Sequence, residues 1–208
     1  MPLLTELHYL PSVSYFVELL KHNEIYIEAH ENYPKQSYRN RCHILTANGF
    51  LELVIPVIHT GNKFSVRDAR IDYFQNWSEK HWKTLVMAYS KAPFFEHFAP
   101  YFEKIYRQKN TFLFDFNLEL LILCFKLLQF SPTICMTESY NKAPTNGQND
   151  IRNKIDPKKQ ANLADFRYLK SYQHNFGSEF VPNLSIIDLL MCRGPQAKEI
   201  IYQSMGDF

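Results

Sequence analysis

The chain has 208 residues, a formal net charge of +2, 46% hydrophobic and 21% charged residues. This is ordinary for a folded soluble protein with one substantial core or two small ones. The weak positive charge, with no lysine/arginine stripe, excludes a nucleic-acid footprint, and only 6 glycines exclude a glycine-rich phosphate loop of the Walker or dinucleotide type.

In chain order, residues 12–21 predict a helix after Pro11, with Val13, Phe16, Val17 and Leu20 on one face. Residues 24–28 (EIYIE) alternate and predict a strand, followed by a loop over 30–38. Residues 42–45 and 50–56 predict paired strands across the turn signal Thr46-Ala47-Asn48-Gly49, and 64–71 predict a further strand. From residue 78 the pattern is helical: 78–90, with Ser78 as cap, then 94–106 and 115–130. Residues 116–130 are apolar but short for a membrane span and carry Glu119 and Lys126, so a buried central helix is expected. A late helix over 186–192 opens at Ser185 and stops at Gly194, and a last one follows Pro195. The polar segment 131–162 shows neither period; it reads as a flexible loop, with a lid over a bound ligand as the alternative. The expected fold class is therefore α+β (mixed α/β). It is a single domain over 1–208, with a strand-rich first third, a helical remainder and a partly parallel sheet.

Cys42, Cys124, Cys135 and Cys192 form no Cys-x-x-Cys pair, and three sit beside apolar residues as buried thiols, so a cysteine zinc site is not expected. The N-terminus lacks a basic start followed by a long apolar run, so no signal peptide is read there. With the thiols this implies a reducing, cytoplasmic setting. No histidine spacing matches a metal motif.

The densest chemistry lies in residues 75–93, QNWSEKHWKTLVMAYSKAP. On a helix Trp77, His81, Leu85 and Ala88 form one stripe and Trp82, Val86 and Tyr89 its neighbour. Each buried ring nitrogen or phenol on such a face needs a partner, which points to a site. His81 could act as a general base, or be a satisfied core histidine. Arg39 and Arg41, two apart before a strand, would share a face and could grip a phosphate or carboxylate, or simply guard a sheet edge. Ser185 and Asp188 fit a capping arrangement at a helix start, and no Gly-x-Ser-x-Gly elbow is present. Tyr9-Leu10-Pro11 is either a staple for the first helix or a pocket wall.

Four blocks occur in order: HYLPSVSYF, YRNRCHI, NWSEKHWKTLVMAYSKAPFF and YQHNFGSEFVPNLSIIDLLMCRGP. Together the chain resembles the WbqC-like family in a short form, with Leu7-His8 where Gln-Pro is usual. The resemblance implies an enzyme of surface-polysaccharide (O-antigen type) biosynthesis, a transferase. Acyl or aminoacyl transfer to an amino sugar is compatible with it. The alternatives are a non-catalytic nucleotide-sugar-binding module and an adaptor. The positions it carries over are Asn40, Arg41, Trp77, His81, Tyr89, Lys91, Gln173 and Asp188. Arg41 and Lys91 would hold an anionic group such as a diphosphate, and Trp77 or Tyr89 would stack on a base or sugar face. His81 and Asp188 would be the catalytic pair, His81 taking a proton from the attacking group. No cofactor is implied. The implied partner is a small-molecule substrate such as a nucleotide-sugar, with neither nucleic acid nor stable membrane insertion.

Overall fold

The computed structural model describes residues 1–58, 61, 63–143, 147–157 and 166–206. The chain runs β1 (Leu3–Thr5), α1 (Val13–Leu19), β2 (Glu24–Ile27), β3 (Arg41–Thr46) and β4 (Gly49–Val54). It continues through α2 (Trp77–Tyr89), α3 (Phe95–Arg107) and α4 (Leu113–Leu127) to β5 (Thr133–Met136), β6 (Asn149–Asp150), α5 (Ile186–Arg193) and α6 (Ala197–Gln203). The fold is mixed α/β, as the composition of elements in the sequence leads one to expect.

Four strands form a sheet in the order β5-β2-β1-β6, and every pairing in it is parallel. Leu4 lies opposite both Tyr26 and Asp150, and Tyr26 opposite Cys135. Leu3, Ile25 and Ile27 are fully buried and join Phe16, Leu19, Phe116 and Leu120 in the core. The chain steps outward from β1 to β2 and β5, then returns to the opposite side of β1 with β6. That reversal beside β1 is where open parallel sheets present a crevice at their carboxyl ends. The hairpin β3–β4 is separate and antiparallel, with Thr46 opposite Gly49 and Gly49 at φ 96°, as its turn requires.

Several expectations change. The segment 131–162 supplies β5 and β6 instead of a continuous loop; residues 144–146 and 158–162 of it lie outside the described residues. Its two strands are four and two residues long, too short for alternation to register, and parallel pairing to β2 and β1 holds them. β1 was equally invisible to the pattern, because all three of its residues are buried. The expected strand over 64–71 is a short 3-10 turn, Val66–Asp68, in which the Ser65 hydroxyl accepts from the Arg67 N–H; only isolated bridges flank it. The helix expected from Ser78 starts at Trp77. Asn76 precedes it in the left-handed region, and Ser78 donates to the Tyr106 carbonyl instead of capping. Helix α4 ends at Leu127, followed by Gln129 at φ 52°. Among the described residues no helix is long and apolar enough to cross a membrane.

Candidate functional site

Parallel strands deliver their C-terminal residues to one edge of the sheet. Here that edge collects Glu6 after β1, Glu28 and Glu31 after β2, Thr137 after β5, and Asp150, Arg152 and Asn153 at and after β6. Arg39 enters from the loop before β3. Glu6, Glu28, Glu31 and Arg39 are all buried, and the Arg152 side chain is only 6% exposed.

Their bonds form two linked clusters. In one, the Arg39 guanidinium forks onto Glu31, with Nε and Nη2 each 2.8 Å from a carboxylate oxygen, and Nη2 also donates to Asn153 Oδ1 at 2.9 Å. Glu6 lies 3.6 Å from Arg39 and accepts from the Asn153 N–H and from His8 Nε2. In the other, Glu28 accepts from Arg152 Nη1 at 2.7 Å, the Thr137 hydroxyl at 2.9 Å and the His30 N–H at 2.8 Å. Arg152 also clamps Asp150, donates to the Asn141 carbonyl, and lies 5.4 Å from the centre of the Tyr140 ring. Such forked, charge-assisted bonds fix geometry as well as energy.

Burial pushes the Glu6 carboxyl up, but the His8 hydrogen bond and the charges of His8 and Arg39 outweigh it and hold the carboxyl at about 2. Fully buried, His8 is itself pushed down by desolvation, and its Nδ1 has no partner among the described residues. Burial raises Glu31 even against the pull of Arg39. The edge therefore sets four carboxylates (Glu6, Glu28, Glu31, Asp150) against two guanidiniums (Arg39, Arg152). Among the described residues no group of His, Cys, Asp or Glu is placed to hold a metal ion.

A cavity of about 270 Å³ opens at this edge, lined by Tyr26, Glu28, Thr137, Asn141, Gln148 and Arg152 among others. It offers carboxylate, guanidinium, hydroxyl and amide groups around one phenol ring. That mixture suits a small hydroxyl-rich ligand better than an apolar one.

The residues expected from the sequence lie elsewhere: Tyr89 meets Asp188 and Trp77 meets His81, but Asn40, Arg41, Lys91 and Gln173 join neither pair in one cavity. Asp188 is buried and accepts three bonds: from the Tyr89 and Tyr172 hydroxyls, each at 3.0 Å, and from His174 Nδ1 at 2.7 Å. It reaches no helix-start N–H; Ser185 alone caps α5, accepting from the Ile187 N–H. The other nitrogen of His174 accepts from the Val181 N–H at 3.0 Å, so neither ring nitrogen is open to a substrate. His81 is buried too, its Nδ1 3.0 Å from the Tyr9 hydroxyl, which in turn bonds the Tyr106 hydroxyl. Desolvation lowers its pKa to about 4, so it is neutral near pH 7. Trp77 packs edge-on against His81 and Phe116 and is 3% exposed. The polar atoms of Asp188 and His174 and the Nδ1 of His81 are thus engaged within the core, whereas the buried Trp77 Nε1 has no hydrogen-bond partner among the described residues.

Asn40 is buried and donates to the Ile55 carbonyl, helping to tie β3 to the chain after β4. Arg39 and Arg41 do not form a fork: Arg39 precedes β3 and serves Glu31, whereas Arg41 on β3 pairs with Glu52 on β4 at 3.0 Å. Lys91 is exposed just past the end of α2. Gln173 is exposed too, in a separate cavity of about 490 Å³ with Arg193 and Gln196. Of the edge residues only Arg39 stood out in the sequence, as half of an expected fork with Arg41; the others sit in stretches far apart in the chain, hinted at only by a strand, EIYIE, that ends in a carboxylate.

The WbqC-like protein family model matches residues 7–163 and 157–200. The chain is also 25% identical over 219 residues to Uncharacterized protein Rv1507c of Mycobacterium tuberculosis (strain ATCC 25618 / H37Rv), covering 93% of this chain and 94% of that protein. No solved structure matches the chain. The matched segments span nearly all of the elements described above, and the chain belongs to the WbqC-like protein family.

Proposed function

We propose that this protein works in surface-polysaccharide biosynthesis and that the strand-end cavity binds its substrate, a hydroxyl-rich molecule of the amino-sugar class. One observation carries the reading: a buried Glu28–Arg152 pair, joined by the Thr137 hydroxyl, faces a cavity at the carboxyl edge of a parallel sheet. The cavity itself is lined by two carboxylates, Glu28 and Glu138, against one guanidinium, Arg152, which favours a ligand bearing an ammonium group. Glu28 accepts from three donors already, so it orients a ligand better than it accepts a proton. Acyl or aminoacyl transfer to the amino group is the reaction this reading favours.

A second reading, binding without catalysis, draws support from His81 and His174, whose ring nitrogens are committed inside the core. The test is a thermal-shift screen against nucleotide-amino-sugars, free nucleotides, acyl-CoAs and amino acids, repeated in Gln148→Ala and Asn141→Ala. A rise in Tm with an amino-sugar compound that both variants lose is expected. Shifts that survive both variants would move the substrate away from this cavity. Binding without turnover in product analysis would favour the second reading.

A further inference from the structure

A larger cavity, about 420 Å³, lies between the start of α2 and the end of α3, away from the strand-end residues. Its walls include Tyr73, Trp82 and Tyr106. Trp82 is half-buried and its ring lies 5.9 Å from that of Tyr106, at 35°. The other tryptophan, Trp77, is 3% exposed and spent on the core. Phe74, next in the chain to Tyr73, leaves its ring 93% exposed; its N–H is bonded to Asp72 in a tight turn.

The charges around this aromatic floor narrow the occupant. Lys83 pairs with Glu79 at 2.7 Å and Arg107 with Glu103 at 2.6 Å, and all four residues line the groove. Paired charges present donors and acceptors side by side with little net field. An apolar ligand would strip water from them without replacing its bonds. A polyphosphate would meet both carboxylates. A sugar ring meets neither objection: its C–H face packs flat on an aromatic ring while its hydroxyls bond to amide, carboxylate and guanidinium groups. Lys109, also on the rim, is exposed and forms no ion pair among the described residues, leaving one cation over.

The geometry points to a second carbohydrate site here, with Trp82 as the stacking platform and Lys109 matched to the carboxylate of an acidic sugar. This site stands independently of the strand-end cavity and of any reaction there.

The test is a titration of the intact protein with glucuronic acid and, separately, methyl glucoside, followed by tryptophan fluorescence and saturation-transfer NMR. A ligand of that size binds with Kd on the order of millimolar at ordinary ligand efficiency. Glucuronate is expected to saturate in that range and to bind about fivefold more tightly than the glucoside, the worth of one exposed ion pair. Lys109→Gln should erase that preference and leave the glucoside unchanged. Trp82→Ala should abolish both NMR signals, and Gln148→Ala should alter neither. If Trp82→Ala does not fold, the exposed Lys109→Gln variant decides. The proposal is overturned by no saturable response up to about 50 mM, well above that Kd. It is equally overturned by equal affinity for the two sugars, or by tighter binding of AMP than of either.

Discussion

The cluster around Asp188 and the cluster around Glu28 and Arg152 are both buried and both rich in polar atoms, yet they differ in where their bonds end. Asp188, Tyr89, Tyr172 and His174 bond to one another and to the Val181 N–H. Glu28, Thr137 and Arg152 bond to one another and also line a cavity. The first arrangement is what a packed interior demands of any polar group it admits. The second keeps polar atoms within a ligand's reach. Polar aromatic density in a sequence therefore marks burial of polar groups, and only the direction of their free surface separates a core from a site.

Breaking each cluster tests the contrast. The largest effect is expected for Arg39→Ala, which leaves Glu31 and Glu6 buried without their cation and should cost about 3–5 kcal/mol in urea denaturation. A loss under about 1 kcal/mol would mean that the edge is not a fixed ion network.

The next effect is pH-dependent. His81 titrates at about 4 in the folded chain and near 6.5 unfolded. Below 6.5 the unfolded chain binds more protons, so stability is full above that pH and falls as pH drops to about 4, by on the order of 3 kcal/mol. His81→Gln should flatten that slope. Glu6, held at about 2, adds a further loss from its unfolded value of 4.5 downward, which H81Q leaves in place. An H81Q protein with an unaltered pH profile would contradict the core assignment of His81.

Asp188→Asn should cost about 1–3 kcal/mol, because an amide cannot accept from three donors as a carboxylate does. It should leave ligand-induced shifts in Tm intact. Loss of those shifts in a variant that melts cooperatively would return Asp188 to the site. The smallest effect on stability is expected for Gln148→Ala at the cavity wall, within about 0.5 kcal/mol. The same change should remove the response to an amino sugar, and the pair of readouts separates binding from folding.

Much of the helical part was legible. Helix α1, the hairpin turn at Gly49, α3 and the Ser185 cap of α5 fall within a few residues of the pattern, because amphipathic spacing and local turn chemistry act over short range. The candidate site was not legible. His81 and Asp188 attracted notice as isolated polar residues on apolar stripes, and a sequence does not say whether Tyr9 or Tyr172 waits across the core to bond them. Arg152 looked like one charge in a polar, structureless segment. Its neighbour Glu28 follows the end of β2, 124 positions away in the chain.

What the sequence determined by itself was the class of fold, the family and the run of helices from Trp77 to Leu127, since periodicity and ordered motif blocks survive without knowledge of any long-range contact. Tertiary structure alone decided that β1, β2, β5 and β6 lie side by side and parallel, and that their ends bring Glu6, Glu28, Arg152 and Thr137 together. Parallel pairing joins strands through long crossovers, so its partners leave no local trace. Three-residue strands buried on both faces carry no alternation to betray them.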